Sequence, residues 1–379
     1  MLRCRICRSE LERGAGRSRD AAAALSIATV LLLVPANLAP FLTANALGAE
    51  RVSRVISGPV ELWREGWPLL AGLVAWVVVA APLLRFGLLA AVLGALRLGR
   101  RDPWLGPAFR WACRLQAWAM ADVAMLALWI AYARLSATVP THLGVGGVCF
   151  VGAGLLSLFV RATLNPAEVW RDIRPPAPRP ADGAGFGCEA CGDLVPAHAA
   201  GQPCRRCGAR LIARRPESVG RAAALTLAAL ALYLPANLFP MATIPIGLEP
   251  AGYTVLEGVK DLFEANLLGL GLLVFSASFA VPLLKLGGLA WFVAAAAGRS
   301  RGALRAKTRL YSVVEEIGRW SMVDPLVIAC FVPVMQFNAK LYGRAGPAAT
   351  AFSAVVVLTM LATRMFDPRS LWDAARRRA

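Results

Sequence analysis

The sequence predicts an all-α polytopic membrane protein with two homologous four-helix transmembrane repeats and small cytosolic zinc-ribbon modules. Three observations predict this fold class. The chain has 379 residues, 58% of them hydrophobic, and its mean hydropathy of +0.57 is too high for an ordinary soluble surface. The motif PANLAP at residues 35–40 recurs as PANLFP at residues 235–240. Two Cys-x-x-Cys pairs stand twelve residues apart near the middle of the chain.

Other landmarks repeat at nearly the same distance as the proline motif. Gly58 corresponds to Gly258, and Pro82 to Pro282, at an offset of 200 residues. Later the offset becomes 202, where WAMAD at 118–122 corresponds to WSMVD at 320–324. NPAEVW at 165–170 and DPRSLW at 367–372 keep that second offset. Matches that stay colinear over this length indicate an internal duplication.

Eight apolar stretches predict eight spans, four in each repeat, because a span takes roughly 20 residues. Six contain no Asp, Glu, Lys or Arg: 21–49, 66–84, 135–160, 222–248, 265–284 and 345–363. Two more, 112–134 and 311–338, are interrupted by charge. The predicted domains are a partial zinc-ribbon remnant (1–20), repeat 1 (21–173), a Pro/Gly-rich linker (174–187), a zinc ribbon (188–215), and repeat 2 with a basic tail (216–379).

The net charge of +18 follows the membrane topology. Of the 41 arginines and lysines, 28 fall in the loops 3–19, 97–110, 171–221, 299–309 and 369–378, which lie on one side of the predicted spans. This is the positive-inside pattern. It predicts that both termini and the central linker are cytoplasmic. The same pattern explains the basic excess without nucleic acid, so no nucleic-acid partner is expected.

Four cysteines form the strongest local motif. Cys188, Cys191, Cys204 and Cys207 have the spacing CxxC-x12-CxxC, which is typical of a structural zinc ribbon. Iron is an alternative metal, and a disulfide pair or a thioredoxin-like redox motif is the alternative without metal. Because four protein ligands leave no open position, the metal is expected to be structural.

A second, incomplete cysteine motif stands at the start of the sequence. Cys4 and Cys7 align with Cys204 and Cys207 at the 200-residue offset. Two cysteines cannot complete a tetrahedral zinc site, so these two are uncertain metal ligands.

The repeated proline motif predicts a kink or break in the first helix of each repeat, because Pro35 and Pro40 remove backbone donors. Asn37, and Asn237 in the second copy, lies between the prolines. Each asparagine either satisfies a freed carbonyl or lines a substrate path. After the first span, residues 46–67 mix tryptophans with charges and predict an interfacial helix lying on the membrane.

Ionisable residues inside spans are costly and need a partner or a wet cavity. Two cross-helix ion pairs are therefore predicted, Lys285 with Asp324 and Arg85 with Asp122, as a polar lining for a charged or zwitterionic headgroup. In the alternative interpretation the cations reach the interface and the aspartates begin helices, as Asp324-Pro325 indicates. No nucleotide loop, nucleophile elbow or HExxH motif is present, and no enzyme activity is expected.

The combination of PANLxP twice, the W-x-M-x-D helices and the CxxC-x12-CxxCG ribbon resembles the paraquat-inducible protein A family of bacterial inner-membrane proteins over essentially the whole chain. The resemblance implies two four-helix domains, each preceded by a cytosolic zinc ribbon. It also implies a periplasm-spanning MCE-domain partner and movement of phospholipid between the inner and outer membranes. Intramembrane polar residues of the second repeat are implied to act in this, here Lys285, Ser321 and Asp324. The chain departs from the family at its N-terminal ribbon, which retains only Cys4 and Cys7.

Three functions are compared. A lipid-transport component needs a path, predicted along Asn237, Lys285 and Asp324, and outer segments that dock the partner. A membrane scaffold would only anchor or assemble that partner. An efflux carrier for small cations is the third, disfavoured because no cluster of unpaired carboxylates is evident in the spans. The sequence contains no visible ATP site or ion site.

Overall fold

The computed structural model describes residues 2–3, 10–12, 18–46, 49–136, 140–176, 185–246, 249–264, 266, 268–298, 304–334 and 344–376. Cys4 and Cys7 lie outside the described residues. Repeat 1 contains helices α1 (Arg19–Leu38), α2 (Ser57–Arg64), α3 (Pro68–Val74), α4 (Ala81–Arg97), α5 (Leu105–Leu115), α6 (Ala121–Ser136), α7 (Val145–Thr163) and α8 (Pro166–Ile173). Repeat 2 contains α9 (Ser218–Leu238), α10 (Val255–Glu264), α11 (Leu268–Phe275), α12 (Val281–Ala297), α13 (Leu304–Ile317), α14 (Val323–Val334), α15 (Pro347–Met365) and α16 (Arg369–Arg376).

Ten short strands in the described part of the chain form four antiparallel sheets. The strands are β1 (Leu2–Arg3), β2 (Glu10–Glu12), β3 (Leu42–Ala46), β4 (Ala49–Ser53), β5 (Thr141–Leu143), β6 (Gly185–Gly187), β7 (Leu194–Pro196), β8 (Ala242–Ile246), β9 (Glu249–Tyr253) and β10 (Arg344–Ala345). Their orders are β1-β2, β4-β3-β5, β6-β7 and β10-β8-β9. The two three-stranded sheets share one register: Leu42 faces Ser53 and Leu143, as Ala242 faces Tyr253 and Ala345. The partners Ser53 and Tyr253 are 200 residues apart, and Leu143 and Ala345 are 202 residues apart, which are the two offsets found in the sequence.

Within the described residues, six helical stretches are long and apolar enough to cross a membrane, so the chain is a polytopic membrane protein. They are Arg19–Leu38, Pro68–Arg97, Val145–Thr163, Ser218–Leu238, Gly271–Ala297 and Pro347–Met365. Two of the six contain a π-helical turn, at Ala75–Ala80 and at Ser276–Ala280. Each π turn comes just before Pro82 or Pro282. Because proline cannot donate to the preceding turn, a widened turn accommodates the freed carbonyl.

The prediction of a purely helical chain was wrong at residues 42–53 and 242–253. Each stretch contains a β-hairpin, and the predicted interfacial helix at 46–67 contains β4 followed by the eight-residue α2. In β3 the burial alternates, with Leu42 and Ala44 buried and Asn45 exposed. That is the period-two pattern of a strand with one covered face. A long apolar run obscured it in the sequence.

The predicted third and seventh spans are each divided. In repeat 1, α5 ends at Leu115 and α6 begins at Ala121. In repeat 2, a 3-10 segment at Gly318–Met322 separates α13 from α14. The W-x-M-x-D motif therefore marks the break. In repeat 1 its aspartate, Asp122, stands in the first turn of α6, where a carboxylate stabilises the free N–H groups.

The described residues form two compact units, which do not coincide with the two predicted repeats. The first unit combines residues 1–34, 80–122 and 152–216, and the second combines 35–79, 123–151 and 217–379. The core of the first unit includes Phe86, Leu93, Phe109 and Trp170 together with ribbon cysteines. In the second unit, Phe292, Tyr311 and Phe366 pack as an aromatic cluster.

The proline motif forms a corner between the first helix and the sheet of each repeat. Helix α1 continues through Pro35 and ends at Leu38, before Pro40. The carbonyl of Pro40 packs against Gly144, and the carbonyl of Pro240 packs against Gly346, so closely that no Cβ fits at either glycine. Gly346 also donates its N–H to the Met241 carbonyl at 2.8 Å. The motif thus has a structural role in joining the first and last helices of each repeat.

We expect Gly346→Ala to lower stability by about 1–3 kcal/mol, since the new methyl group must displace backbone. The thermal unfolding midpoint of the purified protein in detergent measures this. The control is Gly72→Ala, on α3, where a Cβ meets nothing within 4 Å and where alanine stabilises a helix by roughly 0.5–1 kcal/mol. Equal midpoints for the two variants would contradict the corner contact.

Candidate functional site

Two regions of the structure bring together residues predicted to bind or transport. The first is the cysteine cluster. One knuckle follows β6 and carries Cys188 and Cys191, and the other carries Cys204 and Cys207. The four Sγ atoms lie within 4.8 Å of one another. The separations Cys188–Cys207 and Cys191–Cys204 are both 3.6 Å.

This donor set fits a metal ion. Four sulfur atoms at about 2.3 Å from a zinc ion are about 3.8 Å apart in a tetrahedron, close to the distances above. Gly192 (φ 71°) and Gly208 (φ 66°) follow the second cysteine of each knuckle in the left-handed region, which glycine adopts without strain. Hydrogen bonds from the thiols of Cys191 and Cys207 lower the pKa of Cys188, and the same network raises the pKa of Cys207 to about 12. The Cys188 thiolate, stabilised by hydrogen bonds from neighbouring thiols, is therefore ready to coordinate a cation.

The ribbon packs on helices of repeat 1, although it precedes repeat 2 in the sequence. Cys188, Cys204 and Cys207 are buried in the core that holds Phe109 and Trp170, whose rings meet edge-on at 4.9 Å. Arg110 of α5 donates to the carbonyl of Cys207 at 2.9 Å. Gly106 of α5 lies so close to the Arg206 carbonyl that a Cβ there would overlap it. The cluster is therefore part of the core of the first unit.

Lys285 is the centre of the second region. It is 2% exposed on α12, and its Nζ donates to the carbonyl of Gly318 at 3.2 Å. Gly318 begins the 3-10 break between α13 and α14. A Cβ at Gly318 would lie 2.8 Å from the Lys285 Nζ, so a larger residue there would force the end of the Lys285 side chain to shift. Lys285 is therefore enclosed by the protein at this break, and its depth relative to the membrane interface stays a prediction.

Two hydroxyl groups without hydrogen-bond partners lie on the segments next to Lys285. Ser278 is 0% exposed and Ser321 is 1% exposed, and neither Oγ has a partner among the described residues. Ser278 is in the π turn, which packs against the 3-10 segment that contains Ser321. Buried hydroxyls without partners are unusual and leave donors available to a ligand.

Repeat 1 has different residues at the equivalent positions. Val78 replaces Ser278 and Ala119 replaces Ser321, at the two sequence offsets. Arg85 is buried, with its guanidinium carbon 5.0 Å from the centroid of the Phe86 ring. Asp122 Oδ2 lies 3.6 Å from Arg161 Nη1 of α7, and the Arg85–Asp122 pair stays a prediction. Only repeat 2 combines a buried ammonium with these hydroxyls.

The remaining predicted residues are separate from this region or not described. Asn237 donates to the Tyr233 carbonyl at 2.8 Å, one turn back on its own helix. Asn37 is 8% exposed within the corresponding turn of α1. The backbone of Asp324 is in the first turn of α14, but its side chain lies outside the described residues, so the Lys285–Asp324 pair stays a prediction.

Sequence reasoning missed Ser278, Gly318 and Arg161 as residues of these sites. Ser278 precedes Lys285 by seven residues, which places both on one face of a helix, and this spacing was available in the sequence. Arg161 and Gly318 carry no such signal, because their contacts join helices that are far apart in the chain.

Comparisons with known proteins agree with the sequence motifs. A family model described as Paraquat-inducible protein A matches residues 20–174 and 219–376. The chain is 30% identical over 376 residues to "Lipophilic envelope-spanning tunnel protein A" of Escherichia coli (strain K12), which covers 98% of this chain and 86% of that protein. It is 27% identical to "Intermembrane transport protein PqiA" of the same organism over 382 residues, 98% of this chain and 90% of that one. "Probable intermembrane transport protein" of Haemophilus influenzae is 24% identical over 388 residues, covering 97% and 90%. No solved structure matches the chain.

Proposed function

Because the chain belongs to the paraquat-inducible protein A family, we propose that it is the inner-membrane component of an intermembrane phospholipid transport system. It works with an MCE-domain partner in the periplasm and keeps both termini in the cytoplasm. The names of its relatives, which are transport or tunnel proteins, support a transport role rather than an enzymatic one. The relatives' names do not specify the partner or the lipid, which come from the family resemblance.

The buried ammonium of Lys285 carries the proposal. A cation inside a membrane helix costs roughly 2.5–3.5 kcal/mol and is retained where it serves a function. Lys285 lies at a break between α13 and α14, and the free N–H groups at the start of α14 add positive potential there. Transporters place such discontinuous helices at their substrate sites. An anionic or zwitterionic lipid headgroup is suited to the positive potential at this break.

The path that we propose uses the polar groups of repeat 2 next to this break, Ser278, Lys285, Ser321 and Asp324, with Asn237 on α9. Arg85, Asp122 and Asn37 are the equivalent positions in repeat 1. The proposed topology has eight membrane spans. The six long helices cross the membrane, and the divided α5–α6 and α13–α14 pairs provide the third span of each repeat.

Zinc bound by Cys188, Cys191, Cys204 and Cys207 is proposed as a structural ion. Soft thiolate ligands in a tetrahedral set favour zinc, and four protein ligands leave no position for catalysis. The ion would hold the two knuckles of the ribbon against α5 and α8.

Site-specific photocrosslinking in cells tests the transport path. A diazirine residue replaces Met322, which is 1% exposed beside Ser321, and a control probe replaces Leu284, which is 56% exposed on the helix of Lys285. We expect labelled phospholipid to react at position 322 and to stop reacting in Lys285→Met, while labelling at position 284 is unchanged. Two outcomes would favour the scaffold function instead. Phospholipid does not label position 322, or it labels this position equally in Lys285→Met.

A further inference from the structure

The second knuckle of the ribbon meets helix α5 of repeat 1 through its backbone. Two consecutive carbonyls of this knuckle contact α5. The carbonyl of Arg206 lies against Gly106 without room for a Cβ, and the carbonyl of Cys207 accepts from Arg110 at 2.9 Å. Since this knuckle contributes two of the four sulfur atoms of the cluster, α5 helps to shape half of the metal site.

Arg110 brings a positive charge to the ribbon that no carboxylate balances. It is half-buried, its Nε is buried without a hydrogen-bond partner, and it forms no ion pair among the residues that the structure describes. By contrast, the buried and half-buried arginines of the ribbon do have carboxylates. Arg206 Nη1 lies 3.7 Å from Asp193 Oδ1, and Arg215 Nη2 lies 2.9 Å from Glu189 Oε2. Because a buried charge without a counter-ion is costly, a negative group is expected beside Arg110.

The cysteine cluster can supply that negative charge. Four thiolates around one divalent cation carry a net double negative charge, and Arg110 already donates to the backbone of one ligand, Cys207. We propose that the metal-loaded cluster is the counter-ion of Arg110. Arg110 is then a positioning residue that raises the metal affinity of the ribbon from a helix of repeat 1. This inference rests on the proposed structural zinc ion.

The contact joins the ribbon to the divided α5–α6 pair of repeat 1. Helix α5 ends at Leu115, and α6 begins at Ala121. Coupling between two sites is reciprocal, so the packing of α5 on the ribbon strengthens metal binding, and bound metal holds α5 in place. A change on α5 that leaves all four cysteines intact should therefore weaken metal binding.

Competition with a chelator tests the inference. The full chain is purified in detergent and loaded with Zn²⁺, and the transfer of zinc to the coloured chelator 4-(2-pyridylazo)resorcinol gives the affinity and the release rate. Residues that support metal ligands typically change affinity by about 10- to 100-fold, and we expect this loss in Arg110→Met. The matched control is Arg114→Met, which changes an exposed arginine one turn further along α5 and should bind zinc like the wild type.

Two further variants separate charge from packing. Arg110→Lys keeps the positive charge and should retain most of the zinc affinity. Gly106→Ala removes no charge but pushes against the Arg206 carbonyl, so zinc release should become faster by about tenfold. It also remains as a test if Arg110→Met fails to fold. Equal losses of affinity in Arg110→Lys and Arg110→Met overturn the counter-ion role, and wild-type release in Gly106→Ala overturns the coupling to α5.

The metal content of the wild-type chain separates this inference from the proposal on which it rests. If the loaded wild-type chain holds no zinc, the proposed structural ion fails. If it holds one ion, and Arg110→Met and Arg114→Met bind zinc equally well, only the counter-ion inference fails. Neither result depends on lipid transfer, so both are independent of the proposed transport path.

Discussion

Lys285→Met is expected to reduce phospholipid transfer between the membranes by about 10- to 150-fold. The substitution keeps the length of the side chain and removes its charge. A hydrogen bond from a charged group is worth about 1.5–3 kcal/mol, and that range corresponds to the stated loss of rate. The measurement is the arrival of pulse-labelled phospholipid in the outer-membrane fraction of cells that carry the variant as their only copy.

Two further variants make this result specific. Lys260→Met removes an exposed lysine that pairs with Glu264 on α10, and transfer should stay normal. Gly318→Ala places a methyl group 2.8 Å from the Lys285 Nζ, so it should impair transfer without removing the charge. Normal transfer by a well-expressed Lys285→Met protein would refute the transport path and leave the scaffold as the better hypothesis.

Cys204→Ser is expected to remove bound metal and to loosen helices of repeat 1. Structural zinc contributes roughly 10–16 kcal/mol of apparent binding free energy in small metal-folded domains, and here the ligands are buried against α5 and α8. Metal analysis of the purified protein should give one ion per wild-type chain and none for the variant. Hydrogen exchange should become faster in residues 105–115 and 166–173, and stay unchanged in α15.

Cys113→Ser is the matched control for the ribbon prediction. Cys113 is a half-buried cysteine of α5 that lies outside the cluster, so its replacement should retain the metal and the slow exchange. Faster exchange of α5 in both variants would indicate a general loss of packing rather than an effect of the metal. Metal retained by Cys204→Ser would show that Cys204 is not needed as a ligand.

The sequence predicted the features of this protein that depend on local pattern. Runs without charge identified the six long helices of the described residues, because a helix that crosses a membrane must be apolar over most of its length. The cysteine spacing identified the cluster, since CxxC brings two thiols to one turn. Repetition of PANLxP and W-x-M-x-D located corresponding elements in both halves of the chain, including the two sheets that were not themselves predicted.

Features that depend on contacts between distant segments were not predictable in this way. The hairpins at residues 42–53 and 242–253 stand beside apolar helices, so the alternation of their short strands was hidden. The contact of Asp122 with Arg161 was not predicted, because the two residues lie on helices that are far apart in the chain and only packing brings them together. The packing of the ribbon cysteines on Phe109 and Trp170 was not predicted either, because no local pattern in the sequence indicates it.

The placement of the ribbon also sets an order for biosynthesis. Helix α5 leaves the ribosome about 100 residues before Cys207. At about 5–20 residues per second, this is a delay of about 5 to 20 s. During that interval Phe109 lacks the cysteines that cover it in the finished core, and Trp170, which precedes Cys207 by 37 residues, lacks them for the last part of it. Repeat 1 can therefore enter the membrane early, but the ribosome must pass the second Cys-x-x-Cys pair before the first unit can close.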